Sequence, residues 1–510
     1  MTARVTAALA RRALRNTFRR PQFLAPLVVF PSLFLAVNVG GLGRSTQLAG
    51  FPHVHGFLDF QLAGAMTQSL LLGGVSSGIA TALEIEGGFF ERLVAAPIPR
   101  VAIVLGRLAA SSVLAALQVI FFLTLGLIFG AQIQGGVLGA ILVVGIGTLA
   151  GSGFGAIGVM LALRARNAST VQGIFPLVFV VLFVSSAFFP RNLLSSPVDS
   201  LALYNPLSYV ADGMRNPIIS SISASAVLEG FAAAAGIAVV AIGLSARPAR
   251  PAARGMSAHL RTMWALLRRA LNEVVRVPGA AVPGVLAPTI FMLGISSVFG
   301  KSAHLPGFTA SDFRTFVVPV GFLQGAGFTG AATGVNLARD IEQGWFDRLL
   351  LSPTPRTVLL AGLVGSAALR SLLPATFLLA VAVALGVHWP GTLGIVLSVV
   401  LVMGLAAVAA FWGVIIALRF RTQQAAPLMQ IGSFIAVLFT TAYAPQARLS
   451  GWLSPVARLN PVTHVLEGVR QGFVAHVSWG QTWPALVSLA GLVAFFGALA
   501  VRGMLRAESS

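Results

Sequence analysis

Apolar runs of membrane-crossing length recur along the whole chain, at residues 101–130, 137–163, 171–189 and 381–418 among others. About 18 or more apolar residues in a row span a hydrocarbon core, and inside that core backbone N–H and C=O groups must be satisfied by the chain itself. The alternating ten-residue pattern of a membrane barrel is absent, so the segments read as helices. Composition agrees: 9% of the residues are charged, against roughly 25% in a soluble domain, which is too few to cover a water-exposed surface. The expected fold class is all-α and integral to a membrane.

The sequence is also written twice. Glu86-Gly-Gly-Phe-Phe-Glu-Arg-Leu93 returns as Glu342-Gln-Gly-Trp-Phe-Asp-Arg-Leu349, and Pro97, Pro99 and Arg100 return as Pro353, Pro355 and Arg356, all at an offset of 256. Asn205-Pro206 with Asp212, Gly213 and Arg215 returns at an offset of 255 as Asn460-Pro461 with Glu467, Gly468 and Arg470. Arg11-Arg12-Ala13-Leu14 with Pro21, Pro26 and Pro31 matches Arg268-Arg269-Ala270-Leu271 with Pro278, Pro283 and Pro288. Each copy reads as an amphipathic helix followed by six spans, at 22–42, 60–83, 101–130, 137–163, 171–189 and 226–245, then at 279–300, 316–338, 357–386, 393–418, 425–443 and 485–501. An even number of crossings returns the chain to its starting side, so the copies are parallel repeats. The expected organisation is a first half over 1–246, a basic proline-rich linker over 247–258 and a second half over 259–510, with about twelve spans in all.

The net charge of +20 rests on 34 Lys and Arg residues, of which Lys301 is the sole lysine. The arginines cluster at helix ends, between residues 4 and 20, at Arg164 and Arg166, between 247 and 276, and at Arg419 and Arg421. That distribution is the positive-inside pattern of membrane topology rather than a nucleic-acid surface. It places both termini in the cytoplasm and the protein in the plasma (inner) membrane, with the bilayer, not nucleic acid, as its surroundings. The first span is expected to stay attached, because the arginine-rich stretch precedes a full-length span with no small-residue cleavage site after a short apolar core. The chain has no cysteine, which excludes disulfides, thiolate chemistry and cysteine-based metal sites. Gly300-Lys301-Ser302 resembles the end of a phosphate-binding loop, but Gly294 is one residue too far upstream and Ile295 stands where the motif needs glycine. No catalytic constellation and no metal site is expected, and any nucleotide chemistry belongs to another chain.

Four features carry candidate function. The helix before each first span has an apolar stripe, Ala7, Ala10, Leu14 and Phe18 in one copy and Trp264, Leu267, Leu271 and Val275 in the other, beside a basic one. It is either an interfacial anchor or an anchor that also touches a partner. The loop after the second span concentrates acids, aromatics and arginine: Glu84, Glu86, Phe89, Phe90, Glu91 and Arg92, then Asp340, Glu342, Trp345, Phe346, Asp347 and Arg348. It is either a solvated loop or a short helix suited to a groove on another protein. Asn205 and Asn460 can cap short helices whose first turns accept Pro206 and Pro461. Arg370 is the charge deepest inside a predicted span, near Pro374, and either serves the pathway or distorts the helix.

The order of these motifs, a basic lead-in helix, then Glu-x-x-Gly-x-x-(Glu/Asp)-Arg-Leu-x-x-x-Pro-x-x-Arg, then Asn-Pro-x-x-x-x-x-(Asp/Glu)-Gly-x-Arg, resembles ABC-2 type permeases over nearly the whole chain, with the closest likeness to antibiotic exporters of the daunorubicin and tetronasin type. The resemblance implies two tandem six-helix ABC-2 type units enclosing a transport path, with cytoplasmic interface helices. It also implies two ATP-binding cassette ATPase subunits, which bind ATP and Mg and grip the two loops as coupling helices. On that likeness the twelve loop residues occupy coupling positions, and Asn205, Pro206, Asn460 and Pro461 belong to short re-entrant helices that close the external end. Phe175, Phe179, Arg370, Gln430 and Phe434 are candidates for the path. Half one has Ala82-Leu83 and half two only Arg339 where the family carries more arginine, so the two contacts are expected to differ in strength.

The leading function is therefore the membrane subunit of an ATP-driven exporter of amphipathic compounds, with no enzymatic activity of its own. An ion-coupled carrier is the main competitor, but its spans would carry Asp, Glu or His, whereas acids such as Asp59, Glu84 and Asp312 sit at predicted span ends. A non-transporting scaffold or sensor would keep the loops without needing a cavity.

Overall fold

The computed structural model describes residues 2–19, 21–96, 98–173, 175–196, 198–245, 278–300, 312–350, 355–449 and 451–506. The linker expected at 247–258, the second lead-in helix with Trp264, and Lys301 lie outside the described residues. The chain divides into two compact units, Met1–Leu35 with Ala49–Pro283 and Ala36–Leu48 with Gly284–Ser510.

The helices run in the order α1 (Thr2–Phe18), α2 (Pro21–Leu42), α3 (Phe57–Glu86), α4 (Phe89–Ala95), α5 (Arg100–Ile128), α6 (Gly136–Ala165), α7 (Ala168–Gly173), α8 (Phe175–Phe183), α9 (Val198–Tyr204), α10 (Pro206–Ile219) and α11 (Ala224–Ser245). The series then recurs as α12 (Pro278–Phe299), α13 (Phe313–Glu342), α14 (Trp345–Leu350), α15 (Arg356–Arg370), α16 (Leu372–Ala384), α17 (Gly391–Phe420), α18 (Ala426–Leu438), α19 (Leu453–Leu459), α20 (Pro461–Val474) and α21 (Trp479–Arg506). Ends recur with the helices. Past α5 and α16 the chain turns at Gly130 (φ 90°) and Gly386 (φ 88°), and Ala131 N–H and Val387 N–H reach back to the carbonyls of Gly126 and Ala382 at 2.9 and 3.0 Å. A glycine in the left-handed region closes the last turn without a Cβ penalty.

Within each unit the second long helix packs most closely on the fourth. Gly74 and Gly78 of α3 face Phe154 and Gly158 of α6 so closely that a Cβ on Gly78 would lie 2.8 Å from the Gly158 carbonyl oxygen. Gly330 and Gly334 of α13 meet Ala406, Ala409 and Gly413 of α17 in the same way. In a bilayer the lipid is as apolar as leucine, so close backbone approach through small residues replaces the hydrophobic drive between helices. The opposite faces stay apolar and open: Val113, Leu117 and Ile120 of α5 and Val487 and Phe495 of α21 are exposed, as lipid-facing side chains of a multi-pass membrane protein are.

Eight helices among the described residues are long and apolar enough to cross a membrane. The other predicted spans are met by helices of different character. Residues 60–83 lie in the 30-residue α3, which buries Gln61, Thr67, Gln68 and Ser69 and so is more polar than a lipid-facing span. Residues 171–189 and 425–443 were expected as unbroken helices. The first instead ends as helix at Phe183 and goes on in turns and bends; the second is shortened to α18, with Pro427 in its first turn. The predicted span 279–300 corresponds to the 22-residue α12, of which Val285–Phe299 forms an apolar helix. The predicted span 357–386 is one of the eight, over Arg356–Ala384, although its helix is interrupted between α15 and α16, because Pro374 cannot donate to the carbonyl four residues back, that of Arg370.

Of the lead-in helices, α1 lies against α5 with Leu9 beside Gly106. Arg4, Arg11, Arg15 and Arg19 stay exposed; Ala10 and Leu14 are half-buried, whereas Ala7 and Phe18 of the expected apolar stripe are exposed.

Candidate functional site

The duplicated loop is a hinge of two residues between a long helix and a short one. Past Glu86, Gly87 and Gly88 close the end of α3 with N–H bonds to Leu83 and Ile85 carbonyls at 2.9 and 3.0 Å; past Glu342, Gln343 and Gly344 do the same to Arg339 and Ile341 at 3.0 and 3.1 Å. Gly88 and Gly344 both have φ of 68°, and no atom lies within 4 Å of the Cβ position on either. Glycine is needed there for its backbone conformation alone, and that conformation aims α4 and α14. Gly88→Ala is expected to cost about 1–2 kcal/mol by placing a Cβ in the left-handed region. Limited proteolysis between α3 and α4 should quicken, while Gly87→Ala, at φ −78°, should change it far less.

The loop residues divide into an outward set and an inward set. Glu86, Glu91, Arg92, Glu342, Trp345 and Asp347 are exposed, Phe90 and Asp340 are half-buried, and Phe346 is buried. The side chain of Arg348 lies outside the described residues. Glu84 is held from two sides. Arg12 of α1 donates to its Oε1 at 3.1 Å, and Arg107 of α5 pairs with its Oε2 while donating to Thr81 Oγ1 at 2.7 Å. The Arg12 guanidinium also lies 3.7 Å above the Phe89 ring, a cation–π contact that docks α1 on the short helix. Glu86 accepts the N–H of Ala168 at 3.0 Å, and Glu342 accepts from Thr422 Oγ1, Gln423 N and Gln423 Nε2 at 2.6, 3.1 and 2.8 Å. Beside α4 a groove of about 320 Å³ is lined by Phe90, Glu91, Val94, Leu163 and Arg166.

At the other duplicated motif, Asn205 and Asn460 cap α10 and α20, accepting the N–H of Leu207 and Val462 at 3.0 Å each, with proline in the first turn. Their amide nitrogens do more: Asn205 donates to Val181 and Val184 carbonyls at 2.8 and 2.7 Å, and Asn460 to those of Ala436 and Phe439 at 2.9 Å each. Each asparagine thus fastens its capped helix to the fifth-span segment of its own unit.

The strongest polar contacts of this region are made by Arg215 and Arg470, which the sequence marks only as repeated residues of the Asn-Pro motif. Both are 4% exposed. Arg215 donates to the carbonyls of Phe60, Ser186 and Ala187 at 3.2, 2.9 and 2.6 Å, pairs with Asp212 and lies 3.9 Å over the Phe60 ring. Arg470 donates to the carbonyls of Phe316 and Thr441 at 3.1 and 2.9 Å, to Glu467 at 2.6 Å, and lies 3.8 Å over Phe316. A fork of five donors suits such a carbonyl-rich corner as no other side chain does. The available signal was an arginine repeated at an offset of 255 within a segment otherwise built of Leu207, Val210, Met214 and Ile218.

Among the candidate path residues, Phe179 is buried and meets Phe30 edge-on at 5.7 Å, and Phe434 meets Phe291 edge-on at 5.3 Å. Gln430 is half-buried, and the side chain of Phe175 lies outside the described residues. Arg370 ends α15 and donates to Thr333 Oγ1 of α13 at 2.9 Å.

Residues 4–219 and again residues 261–474 match the family described as ABC-2 type transporter. The probable multidrug ABC transporter permease YbhR of Escherichia coli (strain K12) is 28% identical over 187 residues, covering 34% of this chain and 49% of that protein. The daunorubicin resistance ABC transporter permease protein DrrB1 of Streptomyces coeruleorubidus is 25% identical over 261 residues, 50% of this chain and 88% of its own length. The probable doxorubicin resistance ABC transporter permease protein DrrC of Mycobacterium tuberculosis (strain CDC 1551 / Oshkosh) is 25% identical over 211 residues, 40% of this chain and 72% of its own length. The chain thus spans about half the length of the first of these relatives.

Proposed function

The chain belongs to the ABC-2 type transporter family, and from that membership we propose that it is the complete membrane pathway of an ATP-driven exporter, both halves on one polypeptide. Twelve spans, six in each half on either side of the linker at 247–258, sit in the plasma (inner) membrane with both termini in the cytoplasm. Two ATP-binding cassette subunits, which hold ATP and Mg, dock on α4 and α14. The observation that carries this reading is the pair of glycine-aimed short helices with exposed Glu91, Arg92, Trp345 and Asp347, an acidic, aromatic and basic set suited to a protein groove. Asn205, Pro206, Asn460 and Pro461 form the corners that close the external end, and Phe175, Phe179, Arg370, Gln430 and Phe434 border the path. The compound moved is amphipathic, a reading supported by relatives named for resistance to daunorubicin and doxorubicin.

The test is purification of the chain with a candidate ATPase and measurement of hydrolysis as amphipathic compounds are added. A stable complex whose hydrolysis rises several-fold with compound is expected. Transport in vesicles that runs on a proton or sodium gradient without ATPase would replace this reading with the ion-coupled one.

A further inference from the structure

We propose that Glu86 and Glu342 are positioning residues that act inside the chain, each a strut tying the last turn of the second long helix to the first turn of the fifth-span segment. Both acids are the final residues of their helices, α3 and α13, two residues before the left-handed Gly88 and Gly344. Each reaches across its unit to the same address: Ala168 and Gln423, whose N–H groups they accept at 3.0 and 3.1 Å, stand 255 residues apart in the chain. A carboxylate gripping main-chain N–H makes a short, charge-assisted bond, and in the second unit two further bonds from Thr422 and Gln423 tighten the grip.

The far side of each joint is equally constrained. Arg166 and Arg421, at φ of 49° and 51°, are the non-glycine residues with positive φ among those described, and they sit at the ends of α6 and α17 immediately before the gripped segment. A strained conformation kept at the same place in both copies indicates that the turn has one backbone path. A fixed turn and a carboxylate clamp leave little slack. A push on α4 or α14 that tilts the last turn of α3 or α13 therefore drags the segment leading to α8 or α18, which carry Phe179 and Phe434. The acids transmit a stroke received elsewhere on the loop, by Glu91 or Trp345, instead of meeting the motor themselves. This inference rests on the exporter reading for the source of the stroke, and the geometry of the strut stands apart from it.

The experiment compares Glu86→Ala, Glu86→Gln and Glu342→Ala in the full chain. Glutamine keeps an acceptor oxygen for Ala168 N–H but no charge. In detergent without ATPase, hydrogen exchange at the segment containing Ala168 should quicken about tenfold in Glu86→Ala and by less than about threefold in Glu86→Gln; Glu342→Ala should do the same at Gln423. In the ATPase complex, compound moved per ATP hydrolysed should fall roughly tenfold in the alanine variants and recover with Glu86→Gln, while ATPase co-purification stays at the wild-type ratio. Unchanged exchange in Glu86→Ala overturns the strut, and so does equal loss of ATPase binding in Glu86→Ala and Glu86→Gln, which marks a charged contact with the motor. Quickened exchange with no ATPase able to bind supports the strut and overturns the exporter reading.

Discussion

Replacing Arg215 with alanine is expected to lower the unfolding temperature of the purified chain in detergent by at least about 6 °C. The guanidinium satisfies three main-chain carbonyls, from Phe60, Ser186 and Ala187, and pairs with Asp212, all at a position with 4% exposure. Removing it leaves Asp212 with Arg191, 3.0 Å away, and Ser186 Oγ, and takes the charged donor from all three carbonyls. Leaving a buried acceptor without its charged donor costs about 1–3 kcal/mol each, and for a chain with units of this size each kcal/mol is worth roughly 2–4 °C. Lysine should not rescue, since three donors on one nitrogen cannot fork to carbonyls on two different elements. Arg470→Ala should behave alike, because the same links to Phe316 and Thr441 are at stake. A melting curve for Arg215→Ala that overlays the wild type would show that the corner is held by packing and not by the arginine.

The second large effect is steric. Gly158→Val is expected to leave little monodisperse protein after size exclusion, because a Cβ at Gly158 would drive into the main-chain carbonyl of Gly74, and Gly78 N is only 2.9 Å away. Side chains can rotate out of a clash; a helix backbone can only move as a whole, so the cost falls at or above the upper end of the roughly 1–3 kcal/mol of ordinary overpacking. Gly236→Val is the control: it lies on α11, with nothing within 4 Å of its Cβ position, and it should purify like the wild type. Equal yields for the two variants would mean that α3 and α6 do not pack tightly through glycine in the folded protein.

Much of this was legible in the sequence, and what was not has a common cause. Apolar run length placed the long helices because the bilayer sets that length. The hinge loop stood out because its acids, aromatics and glycine are repeated, and Gly88 and Gly344 are the residues its backbone requires. The directions of Glu86 and Glu342 were hidden, since their partners at Ala168 and Gln423 are main-chain N–H groups and any residue supplies one. Arg215 was hidden for the mirror-image reason: it binds carbonyls, so no complementary acid pattern had to accompany it beyond Asp212. Arg107, seven residues into the predicted span at 101–130, was passed over because its partner Glu84 comes from another helix. Sequence periodicity reports where a side chain sits on its own helix; contacts between a side chain and a distant backbone leave almost no trace in it.

The cluster of Arg12, Arg107, Glu84 and Thr81 has one further consequence. At an offset of 256 from Arg107 and Thr81 stand Leu363 and Leu337, whereas Arg12 and Glu84 keep Arg268 and Asp340, so the Arg107 limb of the tether has no counterpart side chain in the second copy. A chimera encoding the first copy twice would own two such arginine limbs, and one encoding the second twice would own neither. The two copies have stopped being spare parts for each other, and shuffling them would change how stiffly each loop is moored even where every span stayed intact.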